Sequence, residues 1–263
     1  YISECQHGFM NKRSTATNLT IFTQIASTVM DNQGQLDVIY TDFAKAFDKV
    51  NHSVLLNKLK MLGFSEKTIF LISSYLTNRQ LHVLYNGHQS EDYTATSGVP
   101  QGSNLGPLFF VLFINDLCDS LDCGKLLFAD DLKIFASISS IDDCIQLQSQ
   151  LSVLDEWCEE NRMILNIDKC KVVSYTKNKN KIRVPYSLNG ITIDRCDFFR
   201  DLGVTFDDRL NFDRHIYTII ADANKMLGFI VRNCKLISNI TPIKTLYLAF
   251  LCSKLEYASF VWS

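Results

Sequence analysis

The sequence has few of the features that mark membrane-spanning or disordered proteins. No apolar run reaches the roughly 20 residues that a helix needs to cross a bilayer. The nearest run, from Leu105 to Leu117, is interrupted by Pro107. Only 11 glycines and 4 prolines occur among 263 residues, and 47% of the residues are apolar. This composition predicts one or two globular domains with a substantial core rather than a disordered chain.

Cysteine and histidine are not arranged as zinc ligands. The nine cysteines form no C-x-x-C pair, and no histidine lies at zinc-ligand spacing from them. Scattered cysteines are typical of a reducing compartment, where they act as small core residues. We therefore expect no structural zinc site, and a protein that is not secreted.

The chain also lacks an excess of positive charge. Its net charge is −2, whereas affinity for nucleic acid usually depends on cationic residues that neutralise phosphates. The stretch from Lys169 to Arg183 nevertheless carries six cationic residues and no acidic one. This stretch is either a solvated loop or a phosphate contact, and composition does not choose between them.

The spacing of apolar residues predicts an irregular mixture of helices and antiparallel strands. Helices are expected after Ser14-Thr15, after Ser140, and over residues 52–62, 68–76, 107–117 and 215–257. Strands are expected over residues 36–40, 81–85, 125–128, 132–136, 172–175, 183–188 and 191–193, with tight turns at Asn86-Gly87 and Asn189-Gly190. The helix after Ser140 should bury Ile145, Leu151, Leu154 and Trp157. This order of elements argues for an α+β fold.

Two adjacent carboxylates, Asp130 and Asp131, interrupt a hairpin that is otherwise apolar. A buried carboxylate is costly unless it is paired or binds a cation, and two neighbouring carboxylates repel each other. A divalent cation would relieve both costs. For this segment alone, a polar hairpin tip in solvent is the simpler alternative.

A third carboxylate, Asp42, ends a separate apolar strand. If the two strands are neighbours in one sheet, Asp42 and Asp130 face the same point. Three carboxylates at one place form a site for two Mg²⁺ ions, which can activate a 3′-hydroxyl and stabilise a leaving pyrophosphate. Taken alone, Asp42 is equally consistent with an ordinary aspartate at the end of a strand.

Three segments carry a family resemblance: TDFAKAFD at 41–48, SGVPQGS at 97–103 and FADD at 128–131. In order and interval they resemble successive polymerase motifs of reverse transcriptases, above all those of non-LTR (LINE-like, Jockey-group) retrotransposons. Further similarity lies in residues 6–15 (the segment before the palm), 165–171 (the next motif), 199–204 (the primer-grip hairpin) and 255–259 (the thumb). The resemblance covers essentially the whole chain. It implies a right-hand polymerase palm with partial fingers and a partial helical thumb.

The resemblance also implies a catalytic set. Asp42, Asp130 and Asp131, with the backbone of Phe43, would hold two Mg²⁺ ions, and Mn²⁺ is an alternative. Lys169 matches a lysine that is proposed to protonate the leaving pyrophosphate. A lysine near phosphates also serves simply as a counter-charge.

Nucleotide and primer contacts are implied in the same way. Phe47 matches the aromatic residue under the incoming sugar, where a ring clashes with a 2′-hydroxyl and favours dNTPs; a core aromatic is the alternative. The other implied nucleotide-binding residues are Ala44, Gly98, Pro100, Gln101 and Gly102. Leu202 and Gly203 would belong to the primer grip. The family usually has an aromatic residue where Asp201 stands, and Thr or Ser where Cys170 stands.

The sequence therefore predicts an RNA-directed DNA polymerase that uses an RNA template, a DNA primer and dNTPs, with no membrane partner. An RNA-dependent RNA polymerase shares the palm, but Phe47 argues against it. A catalytically inactive retroelement remnant that only binds nucleic acid is the alternative, and the intact carboxylates favour the enzyme. A nuclear or cytoplasmic location is implied by the resemblance alone.

The domain organisation follows from the same resemblance. We expect residues 1–210 to form fingers and palm and residues 211–263 to form part of the thumb. Because the first residue is Tyr1 rather than Met, we expect the natural protein to extend further. The family's basic fingers strand would lie upstream of Gln6, so this chain by itself is expected to be weakly active or inactive.

Overall fold

A computed structural model of the protein describes residues 2–235, 237 and 239–263. The helices are α1 Thr15–Asp31, α2 Ala46–Lys49, α3 His52–Met61, α4 Glu66–Leu76, α5 Leu105–Ser120, α6 Ile141–Asn161, α7 Asp213–Asn233, α8 Ile240–Tyr247, α9 Ser253–Glu256 and α10 Ser259–Trp262, with a π-helical turn at Leu248–Cys252. The strands are β1 Gln35–Thr41, β2 Gln80–Leu81, β3 Leu84–Tyr85, β4 His88–Gln89, β5 Tyr93–Thr94, β6 Gly124–Phe128, β7 Asp131–Ile138, β8 Lys171–Tyr175, β9 Ser187–Leu188, β10 Ile191–Thr192, β11 Asp194–Arg195, β12 Phe198–Asp201 and β13 Val204–Asp207. This mixture of helices and mainly antiparallel strands confirms the expected α+β class.

The centre of the fold is a five-stranded sheet in the order β11-β8-β1-β7-β6. Strand β1 lies between β7 and β8 and is antiparallel to both, and β6 and β7 form a hairpin. All seven residues of β1 are buried, which fits a central strand covered on both faces. The predicted strands over 36–40, 125–128 and 132–136 are therefore confirmed, and they are neighbours.

Each face of this sheet packs on its own apolar cluster. Helices α5 and α6 cover one face, where Ile39 and Ile134 pack with Phe113 and Leu154. Helix α1 and the β12–β13 hairpin cover the other face, where Val38 packs with Phe22, Phe206 and further apolar residues. Because side chains alternate along a strand, successive residues of β1 and β7 serve different clusters. The second face carries Tyr40, Lys133 and the β12–β13 hairpin, which line the candidate site described below.

Local signals explain where the long helices begin. The Ser14 side chain accepts a hydrogen bond from the backbone N–H of Thr17, and the Thr17 side chain accepts one from the backbone N–H of Ser14. Together these two bonds form a capping box. The same arrangement joins Ser140 and Asp143 at the start of α6. Among the described residues, none of the helices combines the length and apolar character that a membrane crossing requires.

Two expectations about local structure were wrong. Ile145 is 58% exposed, because the buried stripe of α6 passes through Cys144, Leu147 and Leu151 and leaves Ile145 to one side. The strand expected over 183–188 is confined to Ser187–Leu188. Pro185 has no N–H group and interrupts the ladder before that point.

Candidate active site

The carboxylates at the ends of β1 and β7 lie next to each other. The paired register of these strands ends with Thr41 opposite Leu132, so one further step places Asp42 opposite Asp131. Residues directly opposite in a pair share a face of the sheet. Asp130 lies in the tight turn between Phe128 and Asp131, which are themselves paired.

The electrostatics of the aspartates show mutual repulsion. Burial raises the pKa of Asp130, and the negative charge of Asp42 adds to this rise. Burial also raises the pKa of Asp131 to about 6, and repulsion from Asp130, Asp201 and Asp42 contributes. Asp131 as a whole residue is nevertheless exposed, so solvent screening weakens the repulsion. A bound cation would remove what repulsion remains.

The three carboxylates Asp42, Asp130 and Asp131 are suitable ligands for a hard divalent cation, although their side chains are not arranged as a complete coordination site. Within the described ranges, no three His, Cys, Asp or Glu side chains form a ready-made metal site. Oδ2 of Asp42 instead lies 3.4 Å from the ammonium group of Lys169. Carboxylate oxygens are the ligands that Mg²⁺ prefers, and the raised pKa values of Asp130 and Asp131 indicate that a cation is favoured here.

The backbone of Phe43 is oriented by its neighbours. The Asn166 N–H donates to the Asp42 carbonyl at 2.7 Å, and the Ala44 N–H donates to the Ile164 carbonyl at 2.8 Å. In antiparallel pairing these bonds flank Phe43, so its own N–H and C=O groups point away from residues 164–166. The Phe43 ring is buried, with its centroid 6.3 Å from that of Trp157. The ring thus anchors a residue whose carbonyl is available to a ligand.

A cavity of about 620 Å³ lies between the carboxylates and the β12–β13 hairpin. Its wall includes Asp42, Asp131, Lys169 and Leu202, which the sequence assigned to catalysis and to the primer grip. Leu202 and Gly203 form the hairpin turn, with φ angles of 43° and 89°. Asp130 lies in the adjoining turn rather than in the cavity wall.

The predicted nucleotide loop lies elsewhere, against the segment that follows Asp42. Three hydrogen bonds dock it there: Gly98 N–H to the Val50 carbonyl (2.8 Å), Val99 N–H to the Phe47 carbonyl (2.9 Å) and Gln101 Nε2 to Asp48 Oδ1 (2.9 Å). A Cβ atom on Gly98, whose φ is +84°, would lie 2.7 Å from the Asp48 carbonyl oxygen. Only glycine fits at that position.

The remaining residues of the loop are more open. The Ser103 hydroxyl donates to the Pro100 carbonyl at 2.7 Å, and Gly102 has a φ of +79° with nothing close to its Cβ position. Beside the loop, the Phe47 ring stacks on Phe110 with 4.3 Å between centroids. The structure thus brings Phe47 and the loop together, and neither lines the cavity that holds Lys169.

The turn that carries Asp130 is held by Gln6, a residue for which the sequence analysis predicts no role. Gln6 is 2% exposed. Its Oε1 accepts from the N–H groups of Ala129 (2.9 Å) and Gly8 (2.7 Å), and its Nε2 donates to the Ala129 carbonyl at 3.3 Å. Ala129 has a φ of 57°, which costs energy for a residue with a Cβ atom. No local pattern reveals this contact, because the partners lie 123 residues apart.

The cationic stretch from Lys169 to Arg183 is largely neutralised within the protein. Besides Lys169 with Asp42, the ion pairs are Lys171 with Asp194 (2.9 Å), Lys177 with Asp31 (2.8 Å) and Lys181 with Asp208. These contacts favour a folded surface segment over a free phosphate-binding loop.

Comparison with known proteins gives a consistent result. A family model described as reverse transcriptase (RNA-dependent DNA polymerase) matches residues 1–231. The RNA-directed DNA polymerase from mobile element jockey of Drosophila melanogaster is 31% identical over 227 residues, which cover 83% of this chain and 25% of the relative. A probable RNA-directed DNA polymerase from transposon BS of the same species is 31% identical over 223 residues, 80% of this chain and 24% of the relative. The chain thus spans about a quarter of the length of these relatives.

Solved structures with a similar fold include two telomerases. Apo telomerase from Candida tropicalis, truncated from its C-terminal domain, matches with a TM-score of 0.54 and 13% identity over 77% of this chain and 39% of that one. Telomerase from Candida albicans, in complex with a fragment of telomeric RNA, matches with a TM-score of 0.51 and 12% identity. This match covers 98% of this chain and 45% of that one. At these identities the likeness concerns the fold alone, which is the right-hand polymerase fold.

Proposed function

We propose, since this chain belongs to the reverse transcriptase (RNA-dependent DNA polymerase) family, that it adds deoxynucleotides to the 3′-hydroxyl of a DNA primer on an RNA template. The observation that carries this proposal is the meeting of Asp42 and Asp131 on one wall of a cavity. The hairpin that would grip the primer lines the same cavity. The substrates and partners of the whole protein are part of the same proposal.

Asp42, Asp130, Asp131 and the carbonyl of Phe43 would hold two Mg²⁺ ions, with Mn²⁺ as a substitute. When bound, the ions activate the primer hydroxyl and stabilise negative charge on the phosphates. The raised pKa values of Asp130 and Asp131 support this assignment, since repulsion between carboxylates favours cation binding.

Lys169 would act on the leaving group. Its ammonium group lies 3.4 Å from Asp42, and its side chain is 65% exposed, so it is free to turn towards a bound triphosphate. There it would neutralise phosphate charge and donate a proton to the departing pyrophosphate.

Phe47 and the loop at 98–102 would receive the incoming nucleotide. The stacking of Phe47 on Phe110 fixes the ring that would lie under the sugar. Ala44, Gly98, Pro100, Gln101 and Gly102 would form the surrounding surface for the sugar and the base pair. The docking of this loop on the segment after Asp42 would keep nucleotide and carboxylates in one frame.

Leu202 and Gly203 would hold the primer end across the cavity from the carboxylates. The Tyr257 hydroxyl donates to the Leu202 carbonyl at 2.8 Å, which joins the last helices to this turn. We accordingly assign residues 1–210 to fingers and palm, and residues 211–263 to part of the thumb.

The test is Mg²⁺-dependent extension of oligo(dT) on poly(rA) with labelled dTTP. It is run on this chain, where we expect weak or no activity, and on a longer version with its flanking sequence, where we expect incorporation. An Asp130→Ala, Asp131→Ala variant of the longer version should lose incorporation while still binding an RNA–DNA duplex. If the longer version binds the duplex and incorporates nothing, the protein is a nucleic-acid-binding remnant and the proposal is wrong.

A further inference from the structure

A buried ion pair joins the catalytic strand to the hairpin across the cavity. Lys133 lies on β7, two residues after Asp131, and Asp201 is the last residue of β12, next to Leu202. Their side chains are 4% and 7% exposed. Nζ of Lys133 donates to Oδ2 of Asp201 and lies 4.6 Å from the centroid of the Phe22 ring.

Stability alone does not explain this pair. Burial lowers the pKa of Lys133, and the carboxylates of Asp201 and Asp131 oppose that shift. Replacing a buried ion pair with apolar residues of similar size is often neutral or stabilising. The best-supported role of such pairs is to fix one register among several.

The contacts of the hairpin with the apolar cluster on this face of the sheet are less directional. Strands β12 and β13 form a sheet of their own, separate from the central sheet. The Phe199 ring stacks on Tyr40 with 4.0 Å between centroids, and other apolar side chains join the same cluster. Apolar contacts are non-directional and permit a hairpin to slide. The ion pair adds a directional contact between β7 and the residue before the turn, besides the hydrogen bond that the Tyr257 hydroxyl donates to the Leu202 carbonyl.

We propose that Lys133 and Asp201 are a positioning pair that sets where the Leu202–Gly203 turn, and with it the primer 3′ end, lies relative to Asp42 and Asp131. Both residues line the same cavity as the carboxylates. The inference rests on the proposed polymerase function. Its basis is geometric, because a displacement of about 1 Å in a reacting group can cost about a hundredfold in rate.

The decisive variant is the apolar double substitution Lys133→Met, Asp201→Leu. Either single substitution leaves a buried charge without its partner and risks unfolding. The double variant removes both charges, so its melting temperature should match that of the wild type. We expect its kcat for dTTP addition to fall at least about tenfold, while the KM for dTTP and the affinity for primer–template duplex stay within about twofold.

Lys58→Met is the matched control. Lys58 is also largely buried, pairs with Asp116 at 2.7 Å and lies 4.6 Å from the centroid of a phenylalanine ring, that of Phe113. It lies among the helices on the opposite face of the sheet, so its loss should leave kcat unchanged. A double variant at Lys133 and Asp201 with wild-type kcat and melting temperature would show that the pair only fills space, and would overturn the proposal.

A second readout separates this inference from the proposed function. If the longer version with its flanking sequence incorporates no dTTP, the proposed function fails, and the pair is judged by hydrogen–deuterium exchange. Faster exchange in residues 198–207 of the double variant, at an unchanged melting temperature, supports a positioning role. Unchanged exchange in that hairpin overturns it.

Discussion

At the scale of single residues, the ionised carboxylate of Asp131 is expected to destabilise the folded state. Its folded pKa of about 6 lies above the ordinary value of 3.8, so the unfolded chain releases this proton first as pH rises. The contribution of Asp131 to the free energy of unfolding therefore falls as pH rises from 3.8 to 6, and at neutral pH the ionised residue destabilises the fold. Asp131→Asn should raise the free energy of unfolding at pH 7 by about 1 kcal/mol, a value reduced by solvent screening.

Urea denaturation at pH 7 and pH 3.5 checks this prediction. The gain should be present at pH 7 and absent at pH 3.5, where Asp131 is protonated in both states. Added Mg²⁺ should raise the melting temperature of the wild type more than that of Asp131→Asn, because a ligand stabilises the state that binds it. An unchanged free energy of unfolding at pH 7, or equal Mg²⁺ shifts, would contradict the account.

Gln6 offers a second test at this scale. Gln6→Leu removes both acceptor bonds and the donor bond to the turn at Ala129, which should destabilise the fold by about 1–3 kcal/mol. Gln6→Glu keeps the acceptor for the two N–H groups and should cost less. We expect kcat to fall in the same order, with the KM for dTTP little changed. Equal losses in the two variants would argue against a role for the acceptor bonds.

Phe47 tests sugar selection. Phe47→Ala removes the ring that stacks on Phe110 and opens space for a 2′-hydroxyl. The ratio of UTP to dTTP incorporation on poly(rA) should rise about tenfold or more, which corresponds to about 1.4 kcal/mol. The Phe47→Leu variant, which keeps more bulk, is the control and should change the ratio less. An unchanged ratio in Phe47→Ala would make Phe47 an ordinary core aromatic.

At the scale of elements, the segment at residues 5–7 pairs with β6 through one isolated β-bridge. Gln6 bridges to Leu127 in parallel, and His7 is buried within this segment. Burial lowers the pKa of His7 to about 4, and the charges of Arg13 and Lys133 add to the effect. The unfolded chain therefore takes up this proton first as pH falls, and stability should drop between pH 6.5 and pH 4.

His7→Asn should flatten this dependence. The difference between variant and wild type in the free energy of unfolding, measured by urea denaturation from pH 7 to pH 4, isolates His7 from the other titrating groups. The wild type should lose more stability than the variant over this range. Parallel curves would show that His7 does not remain neutral in the folded state.

Local patterns predicted most elements, but not their partners. Strand β1, the β6–β7 hairpin and the helix after Ser14-Thr15 could be predicted because apolar spacing acts within a few residues. The pairing of β1 with β7 became an expectation only through the carboxylates at their ends. The salt bridge of Asp201 with Lys133 spans 68 residues, and no local rule anticipates it. Asp201 departs from the family pattern, and its ion pair with Lys133 is a structural reason for an acidic residue at this position.

At the scale of the whole molecule, the contacts form a continuous frame from the carboxylates to the last helices. Lys133 links β7 to Asp201, the adjacent Leu202 accepts a hydrogen bond from Tyr257, and a Cβ on Gly203 would lie 3.1 Å from the Tyr257 ring. The family resemblance implies that the parts of this frame are palm, primer grip and thumb, which remains a prediction. The contacts that connect these parts are made by side chains distant in sequence, which only the folded structure brings together.

We propose that Asp42, Asp130 and Asp131 form one site for divalent cations. Affinity cleavage tests it most directly: Fe²⁺ is bound in place of Mg²⁺, and peroxide then cuts the backbone near the metal. The account predicts cuts close to residues 42–43 and 129–131 in the same sample, suppressed by excess Mg²⁺ and lost in Asp42→Asn. Cuts confined to one of these segments, or unaffected by Asp42→Asn, would contradict it.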